Sequence, residues 1–253
     1  MKLLKSLKQR ISNFSTRNTP EFPLKLTMER KNTFIDGFQN GILSTRGRVQ
    51  FLQCGANDGI TVDPLRHFIL DNASKVAGVM IEPLHDVYER LKYNVADFPN
   101  IVPLNVATGP DEEITLYRIK EEYVAEYRGI IATGITSFDR SRVLRKAQVQ
   151  LRIEGVEPED CIEEVRQNCY TVSQLINMHA DLLGNEPFLQ IDVEGFDDQV
   201  IYTIDFDMHR PVGINFEAIN LSAKKLDELK LFLEAQGYKC IAWNKDDILA
   251  VKR

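Results

Sequence analysis

Apolar residues in this chain fall into short runs, and between them lie stretches whose apolar positions recur at helical spacing. The runs over 49–54, 76–82, 101–106, 187–192 and 211–217 read as strands, and those over 64–72, 84–96, 172–183, 196–203 and 222–236 read as helices. Alternation of this kind predicts a mainly parallel sheet covered on both faces. The end is different. Tyr238 to Trp243, a turn at Asn244-Lys245-Asp246, then Ile248 to Val251 read as a hairpin. Strands over 238–243 and 247–252 therefore complete a seven-stranded sheet whose last strand is antiparallel.

Two stretches stand outside the alternation. Residues 1–46 form a helical segment, ahead of a main domain over 47–253. Its start is basic (Lys2, Lys5, Lys8, Arg10, Arg17), with Leu3, Leu4, Leu7, Ile11 and Phe14 at helical spacing. Such a helix suits either a peripheral contact with an anionic membrane surface or packing on its own domain or a partner subunit. Thr19-Pro20-Glu21-Phe22-Pro23 breaks it from a second helix over 27–44. The other stretch is an insert over about 108–170, far longer than one crossover helix needs. Within it Ile114 to Ile119 alternates like a strand, Arg142 to Arg152 is rich in Arg, Lys and Gln, and Cys161 to Thr171 reads as another strand. An insert beside the ligand face is a candidate lid and substrate-recognition surface, or an arm for homo-oligomer formation.

The first two strands carry the first chemical signal. Phe51 to Cys54 breaks into Gly55-Ala56-Asn57-Asp58-Gly59, and the second strand ends on Glu82, followed by Pro83. A strand, a glycine turn, a helix and a strand tipped by a carboxylate make the nucleotide-binding half of a Rossmann-like fold. The glycines let a ligand approach the backbone, and the acid accepts from a ribose diol. The spacing is not the dinucleotide fingerprint, and no Walker-type Gly-Lys-Ser/Thr occurs. A turn carrying Asn57 and Asp58 suits a ligand with an amino acid end, a ribose and no phosphate. S-adenosylmethionine fits that description.

Four blocks extend the signal: Gln53-Cys54-Gly55-Ala56-Asn57-Asp58-Gly59 with Asp63-Pro64; Ile81-Glu82-Pro83 with Leu91 and Asn94; Leu189 through Asp192-Val193-Glu194-Gly195-Phe196-Asp197; and Pro211 through Asn215-Phe216-Glu217. On these blocks the chain resembles the FkbM family of S-adenosylmethionine-dependent methyltransferases, from about Phe51 to about Val251. The resemblance implies the class I methyltransferase form of the Rossmann-like fold and places Gln53 with the cofactor residues. It also implies a small-molecule or carbohydrate acceptor, and so an O-methyltransferase of a sugar, glycan precursor or other small-molecule hydroxyl. The rivals are a methyltransferase of a polyketide-type hydroxyl or carboxylate, and a non-catalytic nucleotide-binding interaction module. Cys54 stands where the family more often has a small aliphatic residue. Lys120 to Pro158 matches weakly, where acceptor choice would be written.

Ligands of open α/β sheets bind beyond the carboxyl ends of the strands. That rule selects Gly55, Asn57, Asp58, Gly59, Glu82 and Pro83. It adds Val106 and Ala107 as small residues against an adenine, and Asp192, Glu194 and Glu217. Asp192 and Glu194 are two apart at a strand end and so share a face. Either can orient the cofactor ammonium or take the proton of an acceptor hydroxyl, especially if a like neighbour raises its pKa, and Glu217 is the third candidate for the catalytic base. Asp192 and Glu217 are candidates to hold a divalent metal, although no histidine stands beside them. Thr136 and Ser137 are contact candidates; His67, His85, His179 and His209 are not assigned a role.

Composition narrows the class. A net charge of −6 and a pI near 5.4 argue against nucleic acid as partner. No apolar run reaches the ~20 residues of a membrane span, and the start lacks a signal-peptide core. Cys54, Cys161, Cys169 and Cys240 contain no Cys-x-x-Cys pair, and Cys54 and Cys240 fall in strands expected to be buried. A reduced, cytoplasmic protein follows as the simplest expectation.

Overall fold

The computed structural model describes residues 33–124, 136–150 and 156–253. The basic amphipathic start, the break at residues 19–23 and the first residues of the second predicted helix lie outside them. So do residues 125–135 and 151–155 of the insert. The second helix is described as α1, Thr33–Arg46.

Seven strands form the main sheet: β1 Val49–Cys54, β2 Val76–Ile81, β3 Ile101–Leu104, β8 Phe188–Ile191, β9 Gly213–Glu217, β10 Tyr238–Ala242 and β11 Asp247–Lys252. Their order across the sheet is β10-β11-β9-β8-β1-β2-β3. All neighbours run parallel except β11, which is antiparallel to both β9 and β10. This is the Rossmann-like sheet with an antiparallel last strand that the pattern predicts.

Successive side chains of a strand point to opposite faces, and here both faces are covered. Leu52, Val79, Leu189 and Ile214 face one core, against α6 Val172–Met178, α7 Ala180–Leu183, α8 Asp197–Ile201 and α9 Ala223–Ala235. Val49, Phe51, Met80 and Phe188 face the other, against α1, α2 Arg66–Asp71 and α3 His85–Val95. That two-sided burial is why these strands read as continuous apolar runs. The predicted helix over 172–183 divides at His179, which is not helical and serves as the C-cap of α6. Cys240 is only half-buried.

The insert builds a second, four-stranded sheet in the order β4-β7-β5-β6. Its strands are β4 Ala107–Thr108, β5 Glu113–Ile119, β6 Thr136–Ser137 and β7 Ile162–Tyr170. A short helix α4, Glu121–Val124, follows β5, and the Arg- and Lys-rich stretch forms α5, Arg140–Gln150. Val143 and Ala147 of α5 pack into a small core with Ile119 and Cys161. The polar side of α5 is left for other work.

Candidate active site

The path of the chain across the main sheet reverses at β1, with β2 and β3 on one side and β8 and β9 on the other. The carboxyl ends of strands at such a point leave a crevice. Gly55 makes it geometrically possible. It leaves β1 at φ +79°, and a Cβ there would stand 1.8 Å from the backbone oxygen of Asp192. Only glycine lets the ends of β1 and β8 meet so closely. The Gly55 and Ala56 N–H groups both donate to the Ile81 carbonyl, tying the turn to β2.

An open cleft of about 120 Å³ results. Gly55 and Asn57 line its floor, and Ile81, Glu82 and Pro83 one wall. Asp192, Val193 and Glu194 form another, and the insert contributes Ala107, Thr108, Leu116, Thr136, Ser137 and Phe138.

Glu82 is 7% exposed and already holds two backbone donors. The Asn57 N–H donates to its Oε2 at 3.0 Å and the Leu84 N–H to its Oε1 at 2.9 Å. Burial pushes its carboxyl up to about 7 against the pull of those two bonds; nearby Asp86 adds to the rise and Arg118 opposes it. Glu82 therefore shapes the turn as well as lining the cleft. The remaining members of the first block are turned to the same support. Asp58 accepts the N–H groups of Ile60 and Thr61 at 2.9 and 2.6 Å, and Gln53 donates to half-buried Asp63 at 3.1 Å. Gln53, Asp58, Gly59 and Val106 are not among the residues lining the cleft.

Across the cleft, the shared-face expectation for Asp192 and Glu194 needs a correction. β8 ends at Ile191 and Glu194 sits at φ +56°, so strand alternation does not extend to it. Both still line the cleft, through a left-handed turn rather than a pleat. Glu194 is held by cations from the insert: Arg142 Nη2 and Lys146 Nζ donate to its Oε2 at 3.0 and 3.1 Å. Asp192 is exposed to the cleft, although protein atoms crowd around its carboxylate. Desolvation by that crowding, followed by the charges of Glu217, Asp197, Glu194 and Asp247, raises its carboxyl above the usual range. Glu217 does not line the cleft; it ends β9, receives the Asn220 side-chain amide and is electrostatically coupled to Asp192. Burial and Glu194 push it up to about 7.

Among the described residues no group of three or more His, Cys, Asp or Glu side chains is arranged to hold a metal ion. The reason is visible in the donors: the Glu194 carboxylate is already ion-paired, and Glu217 stands off the wall. The same cleft fits S-adenosylmethionine better. It offers buried Glu82 for a diol, apolar Ile81, Ala107 and Leu116 for a flat base, and Asp192 for a cationic group. Thr136 adds a buried hydroxyl with no hydrogen-bond partner among the described residues.

Several residues at the site escaped sequence reasoning. Asp197 is fully buried and accepts the N–H groups of Gly195 and Glu217 at 3.2 and 3.3 Å, joining β8 to β9. It closes the third sequence block, which was its only signal. Arg142 and Lys146 lie in the basic stretch whose target could not be read, and Asn220 gave no signal.

The sequence profile of the methyltransferase FkbM domain matches residues 53–240. Among curated proteins nothing matches. The fibrillarin pre-rRNA processing protein of Methanococcus jannaschii superposes with a TM-score of 0.41 at 14% identity, over 81% of this chain and 66% of that one. This chain thus spans just under two thirds of that protein's length. An O-methyltransferase from Bacillus cereus in complex with SAH gives 0.45 at 10% identity, over 98% and 91% of the two chains. A methyltransferase from Geobacter sulfurreducens gives 0.40 at 10% identity, over 100% and 90%. Similarity this distant says nothing about what this chain acts on.

Proposed function

The chain belongs to the FkbM family of S-adenosylmethionine-dependent methyltransferases, and from that premise we propose that it methylates a hydroxyl of a sugar, a glycan precursor or another small molecule. One observation carries the reading beyond the family. The cleft has a buried carboxylate, Glu82, on one wall and a second carboxylate, Asp192, on another, with apolar surface between them.

When bound, the cofactor supplies an electrophilic methyl group on a positively charged sulfur. The chain supplies the rest. Glu82 accepts the ribose hydroxyls with the lone pairs its two backbone donors leave free. Asp192 would accept the proton of the acceptor hydroxyl as the O–CH3 bond forms and the S–CH3 bond breaks, leaving an ether, a protonated carboxyl and the demethylated cofactor as a neutral thioether. The proton affinity of Asp192 is raised first by desolvation and then by the neighbouring acids, Glu217 foremost. A cation in the cleft favours the ionised form that can act as base. Glu194, neutralised by Arg142 and Lys146, is a weaker candidate for that role.

Calorimetry with S-adenosylhomocysteine, NAD and ATP tests the cofactor. Tight binding of the first alone is expected, and preference for either nucleotide would overturn it. Mass spectrometry for a 14-dalton gain on candidate acceptors, followed by mild alkali, tests the chemistry. An ether survives alkali; an ester does not, and its loss would identify a carboxylate acceptor instead.

A further inference from the structure

The insert touches the main fold most closely just after Asp192. Arg142 and Lys146 of α5 both reach Glu194 Oε2. Ser137 Oγ lies 3.5 Å from the Glu194 carbonyl oxygen, and the Phe138 ring packs against Phe196 at a tilt, with centroids 4.1 Å apart. A Cβ at Gly195 would come within 2.6 Å of Arg142 Nη1, so the glycine leaves room for the guanidinium. The clamped turn is in an uncommon conformation, with Glu194 at φ +56° and Gly195 at φ +94°. A non-glycine residue at such a φ is strained and persists only where its surroundings impose it. Those surroundings include these insert contacts. Asn220 completes the arrangement, its side-chain amide donating to Glu194 at 3.4 Å and also to Glu217.

We propose that Arg142 and Lys146 are positioning residues for the acid of the cleft. By pinning Glu194 they fix the turn that carries Asp192 and offset the negative charge of Glu194 beside Asp192 and Glu217. This rests on the reading that S-adenosylmethionine binds in this cleft. Asp192 is faced by Glu194 from its own turn, Asp197 from α8, Glu217 from β9 and Asp247 from β11, with Arg142 and Lys146 the cations of α5. Without the two cations Glu194 joins the other acids uncompensated, and Asp192 and Glu217 hold their proton to higher pH.

The test needs no acceptor. S-adenosylmethionine carries the sulfonium charge and S-adenosylhomocysteine lacks it, so their affinity ratio reports the charge on the cleft acid. In the wild type, calorimetry between pH 5.5 and 9 should show the ratio rising with pH. In Arg142→Met, and in Lys146→Met should the first fail to fold, the rise should move upward by about one pH unit. Affinity for S-adenosylhomocysteine at pH 9 should change by less than about threefold, and Arg142→Lys should restore the wild-type curve. Ratio curves that superpose in wild type and both variants would overturn the proposal. If neither ligand binds the wild type, the cofactor reading fails instead. A loss of both affinities in equal proportion would assign Arg142 and Lys146 to packing alone.

Discussion

Glu82 and Glu194 both line the cleft, yet they are held in opposite ways. Glu82 receives two backbone N–H groups, from residues 25 and 2 positions away. Glu194 receives three side-chain donors, from residues 52, 48 and 26 positions away, and two of them are charged. The first wall is therefore a product of local chain geometry, while the second exists only once the insert is seated. Backbone donors persist through most substitutions; a side-chain clamp disappears with one. The half of the site proposed to bind is built for constancy, and the half proposed to react is built to be adjusted.

Gly55→Ala should have the largest effect, because it attacks the contact that joins the two walls. Its methyl would overlap the Asp192 carbonyl oxygen at a positive φ. A loss of more than about 3 kcal/mol in urea unfolding is expected, with binding of S-adenosylhomocysteine abolished. A variant of near wild-type stability would mean the strand ends do not meet as described.

On the reacting wall, Asp192→Asn should lower turnover by roughly 10²–10⁴-fold once an acceptor is known, the scale of general-base assistance. Glu194→Gln should cost less, since its charge is already neutralised by partners. If Glu194→Gln matches or exceeds Asp192→Asn, the roles of the two acids are reversed. On the binding wall, Glu82→Ala should weaken S-adenosylhomocysteine by roughly 1.5–3 kcal/mol, as expected for a charge-assisted hydrogen bond. Unchanged calorimetric affinity would remove Glu82 from the site.

Acids raised at the cleft wall and behind it should also appear in stability. Glu82 and Glu217 move from 4.5 to about 7, so the folded state binds more protons than the unfolded one between those values. Their contribution is fully present below about pH 4.5 and lost as pH rises through 7, with a slope of at most about 1.4 kcal/mol per pH unit for each group. Urea midpoints of the ligand-free protein should therefore fall between pH 5 and 7.5, and less steeply in Glu217→Gln. A flat profile would show that these carboxyls are not raised. The smallest effect belongs to metal: turnover should be unchanged by a chelator, because the acids here do not converge as a donor set. Activity lost to chelation and restored by magnesium would contradict that.

Much of the frame was legible before any coordinates. The apolar runs gave the seven strands to within a few residues, because strands buried on both faces must be apolar at both parities. The hairpin at the end was legible from the turn at Asn244-Lys245-Asp246. The described part of the insert was legible only as isolated strands; that β4, β7, β5 and β6 pair into a sheet beside the cleft required their registers. Glu82 could be placed from its position at a strand tip. The relation between Asp192 and Glu194 could not, because it depends on a left-handed turn that strand periodicity does not anticipate.

By itself, then, the sequence determined the order of strands and helices, the glycine turn after β1 and which acids stand at strand ends. Each of these is a local property, carried by residue type and by periods of two or 3.6. Tertiary structure alone decided that Gly55 lies against the Asp192 carbonyl, that Glu217 stands behind the wall and that Arg142 and Lys146 hold Glu194. Those pairings join residues far apart in the chain. Their strength comes from distance and burial, which neighbouring residues in the sequence do not fix.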